Sequence, residues 1–364
     1  MKHLRLSILL CLALCATAVS AQKLLWGVDF NAIFENREGD GAYSENQTII
    51  FTRLTPTIGI DVMDGMHQIR GGVAWNQPMG NGWRGYKLCP TLYYSFHSRN
   101  SKFNLHIGML PRTLLAENAP KFIWCDSINY QQPNIRGLLF QYVRPAGYME
   151  LALDWRQLQT ETQREAFNVN INSRWHPGHQ RIVSIGEFAQ INHLAKQKNA
   201  PEDQFVNDDI SFNPYVAVNL SHITPLDSLS FRVGAAVQLE RARQLDKWQN
   251  AAGFLTEICA EWKWIGLRET LYAGQNLMPL YPYLGSQLNM GDPQYQSTFY
   301  SRTDLYAHVF ANQFVDLEAG LNFHVTAHNF DFWQRIAVHF YIDQALWQRR
   351  KEIGKKGARL RNFY

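Results

Sequence analysis

Charged residues recur in this chain at every second position of short segments, and that spacing limits the chemistry they can do. Arg53, Arg70, Arg156, Arg174, Arg232 and Arg302 stand at such positions, as do Asp29, Asp61, Glu150, Asp154, Glu257, Glu261, Asp304, Asp316 and Glu318. Alternate residues of a strand point to opposite faces, so these charges share one face. A wall built this way lines water and biases by charge which solutes pass it. Alternatively the two signs pair and merely solvate the wall. Both readings stand at this point.

Covalent chemistry has weaker support. A serine hydrolase needs a positioned His and an orienting polar group. Ser95, His97, His308, His324 and His339 fall on polar faces, but none stands in a local motif. Asp208-Asp209 and the couple His328 and Asp331 are read as loop residues, and an acidic-pair or His–Asp site would require those loops to meet. His176 and His179 flank Pro177-Gly178. Two ligands fall short of the three or four that zinc takes, so the segment reads as a turn, with no metal and no cofactor expected.

The elements that must carry these residues are strands. Val315, Leu317, Ala319, Leu321, Phe323 and Val325 alternate with Asp316, Glu318, Gly320, Asn322 and His324. Leu229 to Leu239 alternates in the same way. About sixteen such segments run from 24–35 to 332–343, with fourteen to eighteen allowed; the registers of the ninth and thirteenth, 180–193 and 265–275, are ambiguous. Connections alternate in length. Short ones such as 63–65, 144–147, 176–179 and 311–313 carry turn residues, and long ones include 36–48, 113–134, 194–209 and 276–299. This is the plan of an all-β, up-and-down antiparallel transmembrane barrel, apolar toward lipid and polar toward its lumen. Trp26, Trp75, Trp83, Trp155, Trp175, Trp262, Trp264 and Trp333 sit near strand ends, as interfacial girdles do.

Residues 1–21 read as a secretory signal, with Lys2 and Arg5 before the apolar run Leu6 to Ala16 and small residues before Gln22. No second long apolar run follows, so helical spans are not expected. The formal charge is +4, and loss of Lys2 and Arg5 lowers it by two. The stretch after Asp343 holds seven Lys/Arg and one Glu, a net charge of about +6, so the remaining body is weakly acidic and nucleic acid is not an expected partner. Cys89, Cys125 and Cys259 make no disulfide framework, though a Cys89–Cys125 approach is conceivable. The expected layout is a signal peptide at 1–21, a barrel at 22–343 and a basic periplasmic tail at 344–364.

The third long connection, 113–134, is too apolar to lie in water: Leu114, Leu115, Phe122, Ile123, Trp124 and Ile128 need cover. Ile107 to Arg112, Asp126 to Tyr130 and Pro133 to Gly137 resemble porin-type barrels of the Bacteroidota. Sixteen-stranded general porins fold their third external loop into the lumen. The resemblance implies that 113–134 does the same, with Arg112, Glu117, Lys121 and Asp126 at the constriction. They would face the wall charges Arg53, Arg70, Arg156, Arg174, Arg232, Arg302, Asp154, Glu257 and Glu318.

The expected function is passive diffusion of small hydrophilic solutes through the outer membrane of a Gram-negative bacterium, with both termini periplasmic and no enzymatic chemistry. Expected partners are outer-membrane lipids, such solutes, the barrel-assembly machinery and further copies of the chain. The alternatives are an outer-membrane enzyme acting on lipid or peptide, and a closed structural or assembly barrel.

Overall fold

A computed structural model describes residues 22–80, 85–178, 181–221, 223–245 and 247–349. The leader at 1–21, Trp83, His179 and the tail from 350 lie outside the described residues.

Sixteen strands follow one another in an antiparallel meander: β1 Gln22–Gly39, β2 Gln47–Val62, β3 His67–Pro78, β4 Lys87–His97, β5 Phe103–Pro111, β6 Asn134–Arg144, β7 Gly147–Gln157, β8 Ala166–Trp175, β9 Val183–Leu194, β10 Asn207–Asn219, β11 Ser228–Ala242, β12 Gln249–Trp262, β13 Ile265–Gly274, β14 Phe299–Ala311, β15 Val315–Thr326 and β16 Phe330–Asp343. β1 pairs with β16 from Gly27↔Asp343 to Gly39↔Asp331, which closes the barrel and leaves no free edge. Among the described residues no helix is long and apolar enough to cross a membrane. Short helices are α1 Asp126–Gln131, α2 Tyr281–Leu284 and α3 Gln344–Arg349.

The alternation of the sequence sets the facing. Phe34, Ile185, Ile191, Val233, Leu321 and Ile336 are exposed on the outside. Their neighbours Glu35, Ser184, Asn192, Asn322 and Arg335 are buried inside. An apolar band all round a barrel would be an aggregation surface in water and is covered only by a bilayer. The barrel is therefore porin-like and of the outer-membrane type. Trp155, Trp175, Trp262 and Trp264 are exposed, as a girdle requires. Trp333 is not: it shares the inward parity of Asp331 and Arg335, is buried, and packs on Arg37 and His324.

Seven connections, five of them of five residues or fewer, gather at one rim with both ends of the described chain, and the two longest, 112–133 and 275–298, lie at the other. Three expectations change here. The last connection at the long-loop rim, 327–329, is a tight turn, so Asp331 is a strand residue. β1 and β2 extend into what reads as the loop 36–48. Asp208 and Asp209 belong to β10 and point to opposite faces, so they form no acidic pair.

A lumen charge network and an outward His–Asp–Arg row

Inside the barrel, the segment 112–133 and the segment 275–298 meet the wall and each other. Phe122, Ile123, Trp124 and Ile128 of the first cluster with Leu277, Met278, Met290 and Tyr295 of the second, and with Phe188, Tyr215, Leu255, Tyr272 and Tyr300 of the wall. Backbone bonds join the two segments: Cys125 N donates to Met290 O at 2.8 Å, and Asp292 N to Lys121 O at 2.8 Å. Gly291 sits at this junction. A Cβ there would lie 2.1 Å from Phe122 O, so only glycine permits the approach.

Charges surround the apolar cluster. Arg112 pairs with Asp154 at 2.5 Å and its guanidinium covers Trp124. Glu117 receives Arg174 at 2.5 Å and Arg232 at 3.2 Å, and Arg232 also holds Glu257 at 2.8 Å. Asp126 is shared by Lys121 and Arg302. Arg302 further pairs with Asp292 at 3.2 Å and Asp304 at 2.9 Å. Arg53 donates to Asn129 O at 2.7 Å, and Arg156 to the carbonyls of Ser286 and Gln287 at 3.1 Å each. Buried guanidinium groups need such fixed acceptors. Arg70 and Glu318 stand apart from this segment's pairs and line the open part of the lumen.

Two carboxyls of the network are pushed in opposite directions. Burial raises Asp292 to about 6, against Arg302, and neighbouring Asp126 adds to the rise. Burial opposes the charge of Asp126 as well, but Lys121 and Arg302 prevail and hold it well below the usual carboxylate range. The thiol of Cys125 is pushed up to about 11, chiefly by burial. Cys125 and Cys89 are free thiols, so their conceivable approach yields no disulfide.

Below the segment 111–121, toward the short-turn rim, lies a vestibule of about 1920 Å³. Its wall mixes both signs of charge, among them Arg70, Arg268, Arg335, Glu257, Asp316 and Glu318. Of the Ser and His residues singled out, Ser95, His97, His308 and His339 line it, and Ser95 is bonded at 2.7 Å to His106, a partner not anticipated. His308 pairs with Asp316 at 2.8 Å and His339 with Asp29 at 3.2 Å, so both are wall residues. His324 is buried and bonded to Tyr300. Asp331 accepts from Ser44 at 3.3 Å. Among the described residues no group of three or more His, Cys, Asp or Glu could hold a metal ion.

A second constellation lies outside the barrel, at the long-loop ends of β7 to β12. Trp155, Phe167, His193, Asp208 and Arg241 are successive cross-strand partners on five neighbouring strands. Arg241 covers the ring of Trp248 at 4.5 Å, which continues the row. His193 Nδ1 lies 2.9 Å from Asp208 Oδ1. Arg243, just beyond β11, grips both oxygens of Asp208 at 2.7 and 2.8 Å, and Arg241 adds a bond of 3.2 Å. A carboxylate only accepts, so a proton on Nδ1 suits the contact with Asp208, while Arg243 Nη2 lies 3.5 Å from the same nitrogen. The next row toward the other rim is Leu153, Val169, Ile191, Ile210 and Leu239. The His–Asp–Arg row thus marks the upper border of the apolar band. Reading Asp208 as a loop residue hid this; continuing the period-2 pattern of β10 through it reveals its facing.

A family described as Lipid A 3'-O-deacylase-type matches residues 16–348. No curated protein matches the chain. Among solved structures the chain is similar to OprB of Pseudomonas putida, at 9% identity and TM-score 0.53 over 90% of this chain and 96% of that one. It is also similar to an anion-selective porin from Comamonas acidovorans, at 9% identity and TM-score 0.51 over 88% and 99%. A third is OccK2 of Pseudomonas aeruginosa in complex with glucuronate, at 7% identity and TM-score 0.53 over 88% and 98%. At such identities these likenesses establish the barrel fold alone. The family match overturns the expectation of a barrel without enzymatic chemistry, because the family is one of enzymes. A match that spans all sixteen strands decides the assignment: the chain belongs to the lipid A 3'-O-deacylase-type family.

Proposed function

We propose that this protein hydrolyses an ester-linked acyl chain of lipid A at the outer leaflet, with His193 as general base and Asp208 as the residue that orients it. The carrying observation is the His193–Asp208 contact of 2.9 Å on the outward face, at the border of the apolar band. An acyl ester of a bilayer lipid lies at that depth, between headgroup and chains. In this reading Nε2 of His193 takes a proton from water as the water oxygen attacks the acyl carbonyl. The tetrahedral intermediate then collapses, the bond to the sugar oxygen breaks, and the proton passes from His193 to that oxygen. The products are a free fatty acid and a sugar hydroxyl. Mass spectrometry of lipid A incubated with the purified barrel tests this. His193→Gln should lower acyl release by about 10²–10⁴-fold, the usual worth of a positioned base. Undiminished release by His193→Gln would sink the assignment.

A second reading is favoured by the vestibule: a path for small hydrophilic solutes, narrowed by 112–133 with Arg112, Glu117, Lys121 and Asp126 at the constriction. Support comes from the mixed charges that line 1920 Å³ of lumen, and from the ion pairs of Glu117 and Asp126 to wall arginines. Planar-bilayer recording tests it. Stable ohmic steps are expected, and a silent barrel argues against it. On either reading the short-turn rim and both termini face the periplasm, and the strands require the barrel-assembly machinery for insertion.

A further inference from the structure

We infer that Arg241 and Arg243 form a recognition site for a phosphate group on an outer-leaflet glycolipid headgroup. The inference builds on the outward row used above but concerns binding. Asp208 is the only acid in direct contact with either guanidinium among the described residues, so two arginines share one carboxylate and the cluster keeps a positive charge. Asp208 organises the pair. Its two oxygens fix the Arg243 fork and steady Arg241, so little side-chain freedom is left to lose when an anion docks. Both arginines are within reach of the outside: their side chains are 28% and 49% exposed.

The surroundings say which anion fits. One row toward the other rim every position is apolar, from Leu153 to Leu239. At the level of the cluster the row is flanked by Trp155 and Phe167 on one side and by Trp248 on the other. A free phosphate would find the guanidinium groups but would leave that apolar and aromatic surface unused. A phosphorylated lipid uses both: chains along the apolar rows, phosphate at Arg241 and Arg243. Arginine presents several N–H groups in a fixed plane that matches phosphate oxygens in pairs.

The test is binding of lipid A to the full-length, detergent-solubilised barrel, read by native mass spectrometry. Bisphosphorylated lipid A is compared with the same lipid after dephosphorylation. The wild-type barrel should prefer the phosphorylated lipid by about tenfold or more, and Arg241→Ala with Arg243→Ala should erase that preference while binding of the dephosphorylated lipid stays as it was. Arg241→Lys with Arg243→Lys should restore part of it. Heat-modifiable migration on unboiled gels shows that each variant is folded. Equal wild-type affinity for the two lipids overturns the inference, as does a preference that survives in the double alanine variant. Complete displacement of the lipid by inorganic phosphate would assign the site to the free ion and overturn the lipid source. Acyl release is scored separately. Phosphate-dependent binding without any release supports this site and fails the hydrolase reading alone.

Discussion

At the scale of single residues, side-chain facing and burial decide what a change does. Leu321 is exposed on the outside and mid-strand, while Glu318 lines the vestibule. Leu321→Arg should cost roughly 2–4 kcal/mol, as for a cation near the bilayer midplane, and Glu318→Arg should assemble normally. Yield of heat-modifiable barrel after refolding into vesicles measures both, and the reverse ranking would mean that the register of β15 is shifted by one. Asp292 offers a pH test. Its carboxyl is raised to about 6 in the folded protein. A raised acid favours the packed state most in acid, and that advantage is lost as pH climbs from about 4 to about 6. Protease protection of 275–298 should therefore fall as pH rises over that window. Asp292→Asn should flatten the profile, and protection that instead grows with pH in the wild type would refute the sign.

At the scale of elements, the two inward segments act as one body. Phe122, Ile123 and Trp124 share one cluster with Leu277, Met278, Met290 and Tyr295 of 275–298, and Gly291 is the point where the backbones touch. Gly291→Val should push the segments apart while leaving the sixteen strands paired, because no ladder bond passes through it. The expected result is faster cleavage within 275–298 and, if the lumen conducts, a larger single-channel conductance. Deleting Ala116 to Asn129 should act in the same direction and also weaken ion selectivity, since it removes Glu117 and Asp126 from Arg174, Arg232 and Arg302. A correctly folded deletion with unchanged conductance would show that the segment governs no solute path.

At the scale of the whole molecule, a barrel of sixteen strands leaves room for an aqueous lumen, and here that room is divided. One end holds the charged vestibule, and the middle holds an apolar cluster fed by two loops. The outer wall carries a cationic row at one border of its apolar band. On the two readings proposed, chemistry on a lipid would belong to the wall and passage of a solute to the lumen, so the readings are separable by mutation. His193→Gln should lower acyl release without altering conductance, and the deletion of 116–129 should do the opposite. A coupled loss in either variant would show that one site serves both.

The strands, their faces and the barrel class were legible in the order of the amino acids. Facing is a local property: once a segment is extended, parity alone sends Leu321 outward and Asn322 inward. The turn residues at one rim and the long connections at the other were readable for the same reason, since each is encoded within a few neighbouring residues. Arg232, Arg302 and Asp154 were legible as wall charges on that basis, and Arg112, Glu117, Lys121 and Asp126 as the charges of an apolar loop. Tertiary structure alone decided who meets whom. Register joins segments far apart in the chain, so nothing local reveals that His193, Asp208 and Arg241 share one row, or that the inward Trp333 packs on His324. The same holds for the joining of 112–133 to 275–298. That contact depends on closure of the barrel around both, because only within the closed wall are two apolar loops held where burying each other is cheaper than facing water.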